Sequence, residues 1–138
     1  MAYSKEVAAK IVHFDGLSKK IIEKFWPGPL TVILKLTDKK MKRSLNLKDK
    51  IAIRVPNHKC TLELLKKCNF LVGTSANISG QTSFTNPDEC FNNIQKYDIF
   101  VDGGIITSKS ESTIIEIENE EIKIIREGSL SYEEILGL

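Results

Sequence analysis

Val72-Gly73-Thr74-Ser75-Ala76-Asn77-Ile78-Ser79-Gly80-Gln81-Thr82-Ser83 is the stretch around which the rest of the chain is arranged. It follows the short apolar run Phe70-Leu71-Val72 and leads to Asn86-Pro87-Asp88-Glu89, a helix start with a cap, a first-turn proline and early acids. A strand, a polar loop and then a helix are the parts of an α/β unit. The loop holds five Ser/Thr hydroxyls, two carboxamides and two glycines, with no charge and no bulky apolar residue except Ile78. Short hydrogen-bonding groups on a glycine-bearing loop suit a phosphate or carboxylate. The same composition also suits a turn whose side chains bond only their own backbone. The loop alone leaves both readings open.

Working outward, Leu30 to Leu36 reads as a buried strand, and Ile51 to Val55 as a second strand ended by Pro56. Phe70 to Val72 and Ile99 to Val101 read as a third and a fourth. Ser112 to Ile117 and Ile122 to Arg126 form a hairpin around Glu118-Asn119-Glu120. Ser4 is read as the cap of a helix over residues 4–13, and Ser18 as the cap of another over 18–25, stopped by Trp26-Pro27-Gly28-Pro29. Thr61 to Cys68 is a further short helix, and a lysine-rich turn follows the first strand. A helix runs from Asn86 to about Gln95, and Ser131 with Glu134 gives a capping box for a last short one. The expected class is α/β: a mixed sheet flanked by helices, closing on a hairpin and a short helix.

With 41% hydrophobic residues in 138, the chain can bury one real core, and no run is long enough to span a bilayer. Three cysteines, Cys60, Cys68 and Cys90, without C-x-x-C spacing indicate reduced thiols, so a cytoplasmic location is expected. His58 lies near Cys60, but no further ligands follow at a metal-binding spacing, so no metal site is expected. Residues 1–70 carry sixteen Lys/Arg against six Asp/Glu, whereas residues 71–138 carry four against twelve. Most of the lysines, such as Lys39, Lys40, Lys42 and Lys48, read as solvated loop residues. Arg54 is different. A guanidinium within an apolar strand is costly unless it pairs with a carboxylate or meets a ligand.

Six blocks in order resemble the threonylcarbamoyl-AMP synthase family and its YrdC-like fold. They are Phe25-Trp26-Pro27-Gly28-Pro29-Leu30-Thr31, Ala52-Ile53-Arg54-Val55-Pro56, Thr74-Ser75-Ala76-Asn77-Ile78-Ser79-Gly80, Asp102-Gly103-Gly104, Glu111-Ser112-Thr113-Ile114 and Ile125-Arg126-Glu127-Gly128. The resemblance implies one YrdC-like domain over residues 1–138. It also implies condensation of L-threonine, bicarbonate and ATP to threonylcarbamoyl-adenylate and pyrophosphate, for t6A modification of tRNA. ATP enters as a substrate, with Mg2+ held largely by its phosphates and water. By resemblance, Arg54 and Ser112 bind L-threonine, while Ser75, Asn77, Ser83 and Arg126 serve ATP. No covalent nucleophile is implied, since such adenylation works by positioning and charge stabilisation.

The family's N-terminal Pro-Thr-Glu-Thr-like turn and Lys-x-Arg-Pro block have no counterpart here. Self-association through an open sheet edge and weak independent activity are therefore expected. Lys50 stands where the resemblance calls for a small hydroxyl residue, and is read as reaching a phosphate or as solvated. Other implied partners are tRNA or double-stranded RNA and further t6A-pathway proteins, with no membrane. The alternative readings are a non-catalytic RNA- or nucleotide-binding module, an inactive product, and carbamoyl-adenylate chemistry of the hydrogenase-maturation type.

Overall fold

The computed structural model describes residues 1–108 and 110–137. They form two compact units, one of Met1–Leu71 with Ser110–Leu138 and one of Val72–Lys109. The first unit holds α1 (Lys5–Ala8), α2 (Gly16–Phe25), β1 (Leu30–Lys35), α3 (Lys39–Ser44), β2 (Lys50–Ile53) and α4 (Lys59–Cys68). The second holds α5 (Pro87–Asn93). The chain then returns to the first with β3 (Thr113–Glu118), β4 (Glu121–Arg126) and α6 (Tyr132–Leu136). The strands make one mixed sheet in the order β2-β1-β3-β4, with β1 and β3 parallel and the two outer pairings antiparallel.

Alternation along each strand gives the sheet two unlike faces. Leu30, Val32 and Leu34 of β1, Ile53 of β2 and Ile115 and Ile117 of β3 are buried in one core with Ile21 and Ile22 of α2 and Ile135 of α6. The opposite face carries Thr31, Ile33 and Lys35, then Lys50 and Ala52, then Ile114, Glu116 and Glu118, all half-buried or exposed. That face holds the candidate site.

The cores of β1, β2 and the hairpin lie where the sequence puts them, because each alternates against a turn of defined chemistry. Asn119 and Glu120 both take positive φ, as a two-residue hairpin turn requires. Ser131 and Glu134 make the expected capping box at α6, and Asn86 caps α5. Several expectations differ. The cap of α2 is Asp15, whose Oδ1 accepts from Ser18 N at 2.7 Å, while Ser18 itself is buried. An ionised oxygen three residues earlier is the stronger acceptor for that orphan N–H. The helix begun at Ser4 ends at Ala8, because Ile11 O and His13 N pair with Thr37 N (2.8 Å) and Lys35 O (3.0 Å) beside β1. The lysine-rich turn contains α3, capped by Asp38, whose Oδ1 accepts from Met41 N at 2.6 Å. Phe70 makes only an isolated bridge to Ala2, and residues 99–101 form no strand: an apolar run becomes a strand only where a neighbour supplies the ladder.

Lys50 does neither of the things expected of it. Its Nζ crosses β1 and donates to Glu116 Oε1 at 2.8 Å and to Glu118 Oε2 at 2.9 Å on β3. The hydrogen bond from Lys50 lowers the Glu116 pKa from its usual 4.5, and the bonds to Glu116 and then Glu118 raise that of Lys50. A lowered carboxylate pKa means stability that is present above the unfolded value and lost as pH falls through the folded one. The raised lysine gives stability lost only as pH rises through its own folded value. Glu116→Gln should therefore lower the urea midpoint at pH 7, by an amount that shrinks as the pH falls below 4.5 through the lowered pKa of Glu116. Equal midpoints at pH 7 would show that this cross-strand pair contributes nothing.

Candidate functional site

The site at the open face begins with the loop between α2 and β1. Trp26 is buried and donates through Nε1 to Leu30 O at 2.7 Å, which folds the Pro27-Gly28-Pro29 segment tightly. A Cβ on Gly28 would lie 2.2 Å from Phe25 O, so only glycine fits there. Gly28 in turn grips the end of β2: its N–H donates to Val55 O at 2.9 Å, and its carbonyl accepts from Arg54 Nε at 2.8 Å. Arg54 is half-buried, and desolvation pulls its pKa below the usual value, although a guanidinium stays charged at neutral pH. No carboxylate pairs with it among the described residues, and its two terminal nitrogens have no protein partner there. None of the described buried side-chain nitrogens or oxygens lacks a partner, so those terminal groups are open to solvent or ligand. The ion-pair reading of Arg54 is thereby set aside.

Register aligns the rest. Val32 pairs with Ile53, the last residue of β2, and Arg54 follows just past the end of that ladder; Thr31 pairs with Ile114, and Ile114 with Arg126. Thr31, Ile114 and Arg126 thus form one row across β1, β3 and β4, and Arg54 lies just past the end of β2 on the far side of β1. Ser112 lies two residues before Ile114, and its Oγ is 2.9 Å from Thr31 Oγ1. Arg126 donates through Nη2 to Ser112 O at 2.7 Å and through Nη1 to the Glu111 carboxylate. A guanidinium stands at each end of the row, with hydroxyls and a short apolar floor between. Such a row can hold two anionic groups of one extended ligand.

Beneath it, Thr113 is fully buried and closes the corner. Its Oγ1 accepts from Gly128 N (3.0 Å) and Leu130 N (2.9 Å) and donates to Leu130 O (2.7 Å). A Cβ on Gly128 would fall 2.3 Å from Glu111 O, so the chain leaving β4 presses directly on the chain entering β3.

The polar loop lies in the other unit. Ser75 Oγ donates to Asn77 Oδ1 at 2.5 Å, and Asn77 Nδ2 donates to Ile78 O (3.1 Å) and Gln81 O (2.9 Å). Asn77 thus closes the loop with its own amide, while Gly80 takes a φ of +83°. Ser83 is half-buried in the same unit. The structure therefore gathers Arg54, Ser112 and Arg126 on one end of one sheet face, and Ser75 and Asn77 in one loop. Thr31, Thr113 and Glu111 were missed as partners of the site. Alternation from Val32 could have placed Thr31 on the open face. A cavity of about 310 Å³ beside Tyr3, Ser4, Trp26, Pro27, Val55 and Leu62 is lined by none of the six sequence-predicted site residues. No group of three His, Cys, Asp or Glu is placed to hold a metal among the described residues; His58 instead caps α4. No helix among them is long and apolar enough to cross a membrane.

Fold and open face together define an α/β protein with a one-sided mixed sheet and a paired-guanidinium row at its strand ends. The chain belongs to the Sua5/YciO/YrdC family, described under telomere recombination, whose model matches residues 1–128. It is 40% identical over 132 residues to a Methanocaldococcus jannaschii protein provisionally named a threonylcarbamoyl-AMP synthase, covering 95% of this chain and 62% of that one. It is 31% identical over 132 residues to the threonylcarbamoyl-AMP synthase of Pyrococcus abyssi, covering 94% of this chain and 38% of that one. The crystal structure of P. abyssi Sua5 complexed with L-threonine superposes with a TM-score of 0.87 at 28% identity, over 97% of this chain and 40% of that one. The chain thus spans less than two thirds of the length of each.

Proposed function

We propose that this chain carries the substrate-binding sheet of a threonylcarbamoyl-AMP synthase, acting on L-threonine, bicarbonate and ATP. The observation that carries this reading is the Arg54 guanidinium: held by Gly28 O through Nε at 2.8 Å, partly desolvated, and with both terminal nitrogens unclaimed by any carboxylate among the described residues. A fork held in this way suits a carboxylate, and L-threonine brings one. Ser112 and Thr31 offer hydroxyls beside it, and Arg126 at the far end of the row suits phosphate. Ser75 and Ser83, in a loop shaped by Asn77, are assigned to the nucleotide as well. The amine of threonine takes up the carbon of bicarbonate with loss of water. The resulting carbamate oxygen then displaces pyrophosphate from the α-phosphate of ATP. These residues bind, orient and neutralise charge; none attacks the substrate. Mg2+ would enter with ATP, bound by its phosphates and water. The adenylate would serve t6A formation in tRNA, in the cytoplasm, with tRNA and other proteins of that pathway as partners.

The test is pyrophosphate release from ATP by the purified chain, alongside calorimetric titration with L-threonine and with MgATP. Release that requires both L-threonine and bicarbonate is the expected result. Binding of MgATP without L-threonine binding or turnover would instead support a nucleotide-binding module. Binding of neither would end the proposal.

A further inference from the structure

Glu111 stands immediately before Ser112 and takes one arm of Arg126, while the Ser112 carbonyl takes the other at 2.7 Å. Both side chains are about half exposed, 42% for Arg126 and 47% for Glu111, so their pairing is readily exchanged with solvent or ligand. The backbone of Glu111 is not free to drift. Its carbonyl accepts from Ser129 N at 2.9 Å and lies against Gly128, where no Cβ would fit. The carboxylate is therefore held beside the guanidinium that the proposed function assigns to the nucleotide. Arg126 is also anchored by its bond to Ser112 O at 2.7 Å, so Glu111 is not the guanidinium's sole support.

Resting on that assignment, we infer that Glu111 is a built-in anion that occupies Arg126 in place of a phosphate oxygen and so limits how tightly the nucleotide triphosphate is held. A phosphate reaching Arg126 has to displace this carboxylate or share the guanidinium with it. In either case a nearby negative charge, tethered by the held Glu111 backbone, opposes it. Glu111 is thus a positioning residue with a negative effect on affinity, which a merely structural ion pair would not have.

The experiment is calorimetric titration of the whole chain with MgATP at low and at physiological salt. Glu111→Gln keeps the shape and a hydrogen-bonding oxygen but removes the charge. It should bind MgATP about 3- to 10-fold more tightly at low salt, with a smaller gain at higher salt. Glu111→Ala should change affinity in the same direction, which covers the case in which the glutamine variant folds poorly. Glu23→Gln, which removes a carboxylate on α2 paired with Lys5 at 3.7 Å, should leave affinity unchanged. Arg126→Ala should weaken binding at least tenfold. If Glu111→Gln binds MgATP no better than the parent while Arg126→Ala binds worse, Arg126 serves the nucleotide and the role given to Glu111 is wrong. If Arg126→Ala binds as the parent does, or if no form binds MgATP, the assignment of Arg126 falls and the inference with it.

Discussion

Thr113→Val should cost the protein about 3 kcal/mol of stability, although it changes neither the size nor the β-branching of the side chain. The Thr113 hydroxyl answers three backbone groups at once: the N–H of Gly128, and the N–H and C=O of Leu130. Valine leaves all three without their partner in a corner where Thr113 itself has no exposed surface. Unsatisfied buried groups cost about 1–3 kcal/mol each, and partial access to water at residues 128 and 130 keeps the total near the lower end of their sum. Urea unfolding should show the midpoint falling with an unchanged slope. A loss below about 1 kcal/mol would mean that water reaches this corner freely. Because Ser112 and Arg126 flank the same corner, nucleotide binding should weaken along with stability.

Arg54→Lys should behave in the opposite manner, with a modest effect on stability and a large one on ligand. An ammonium can donate to Gly28 O or to a bound carboxylate, but it lacks the planar fork that does both together. Loss of a charge-assisted pair of hydrogen bonds is worth about 1.5–3 kcal/mol, so L-threonine affinity should fall roughly 10- to 100-fold. The melting temperature should shift by only a few degrees, as expected for one weakened bond to Gly28 O. Unchanged L-threonine affinity with a much lower melting temperature would make Arg54 a structural clamp for the loop at Trp26–Pro29.

The features that the sequence made legible share a local cause. The alternation in Leu30–Leu36, the Glu118-Asn119-Glu120 turn and the capping box at Ser131 each need only a few neighbouring residues to express themselves. Arg54 stood out for a similar reason, since a lone charge in an apolar strand shows in a five-residue window. The corner around Thr113 could not be read this way. Its partners are 15 and 17 residues along, and nothing in Ser112-Thr113-Ile114 distinguishes a hub from an ordinary strand threonine. Lys50 was misread because its partners lie 66 and 68 residues away, two strands over. The runs at residues 70–72 and 99–101 look like strands in isolation and find no ladder among the described residues. Asp15 was passed over for Ser18 because both are good caps, and the choice depends on which oxygen reaches the orphan N–H.

The strand order also sets a timetable for synthesis. Leu30 pairs with Thr113, so β1 has its partner on one side from β2 almost at once and must wait 83 residues for the other. At ribosomal rates of about 5–20 residues per second, that wait lasts roughly 4–17 s. During it the inner edge of β1 is bare and the nascent chain carries the strongly basic composition of its first seventy residues. The acidic strand β3, which covers that edge and answers Lys50, emerges only at the end of the wait. A ribosome that stalls within residues 72–109 would leave an unpaired, positively charged half-sheet, a natural target for chaperones and for polyanions.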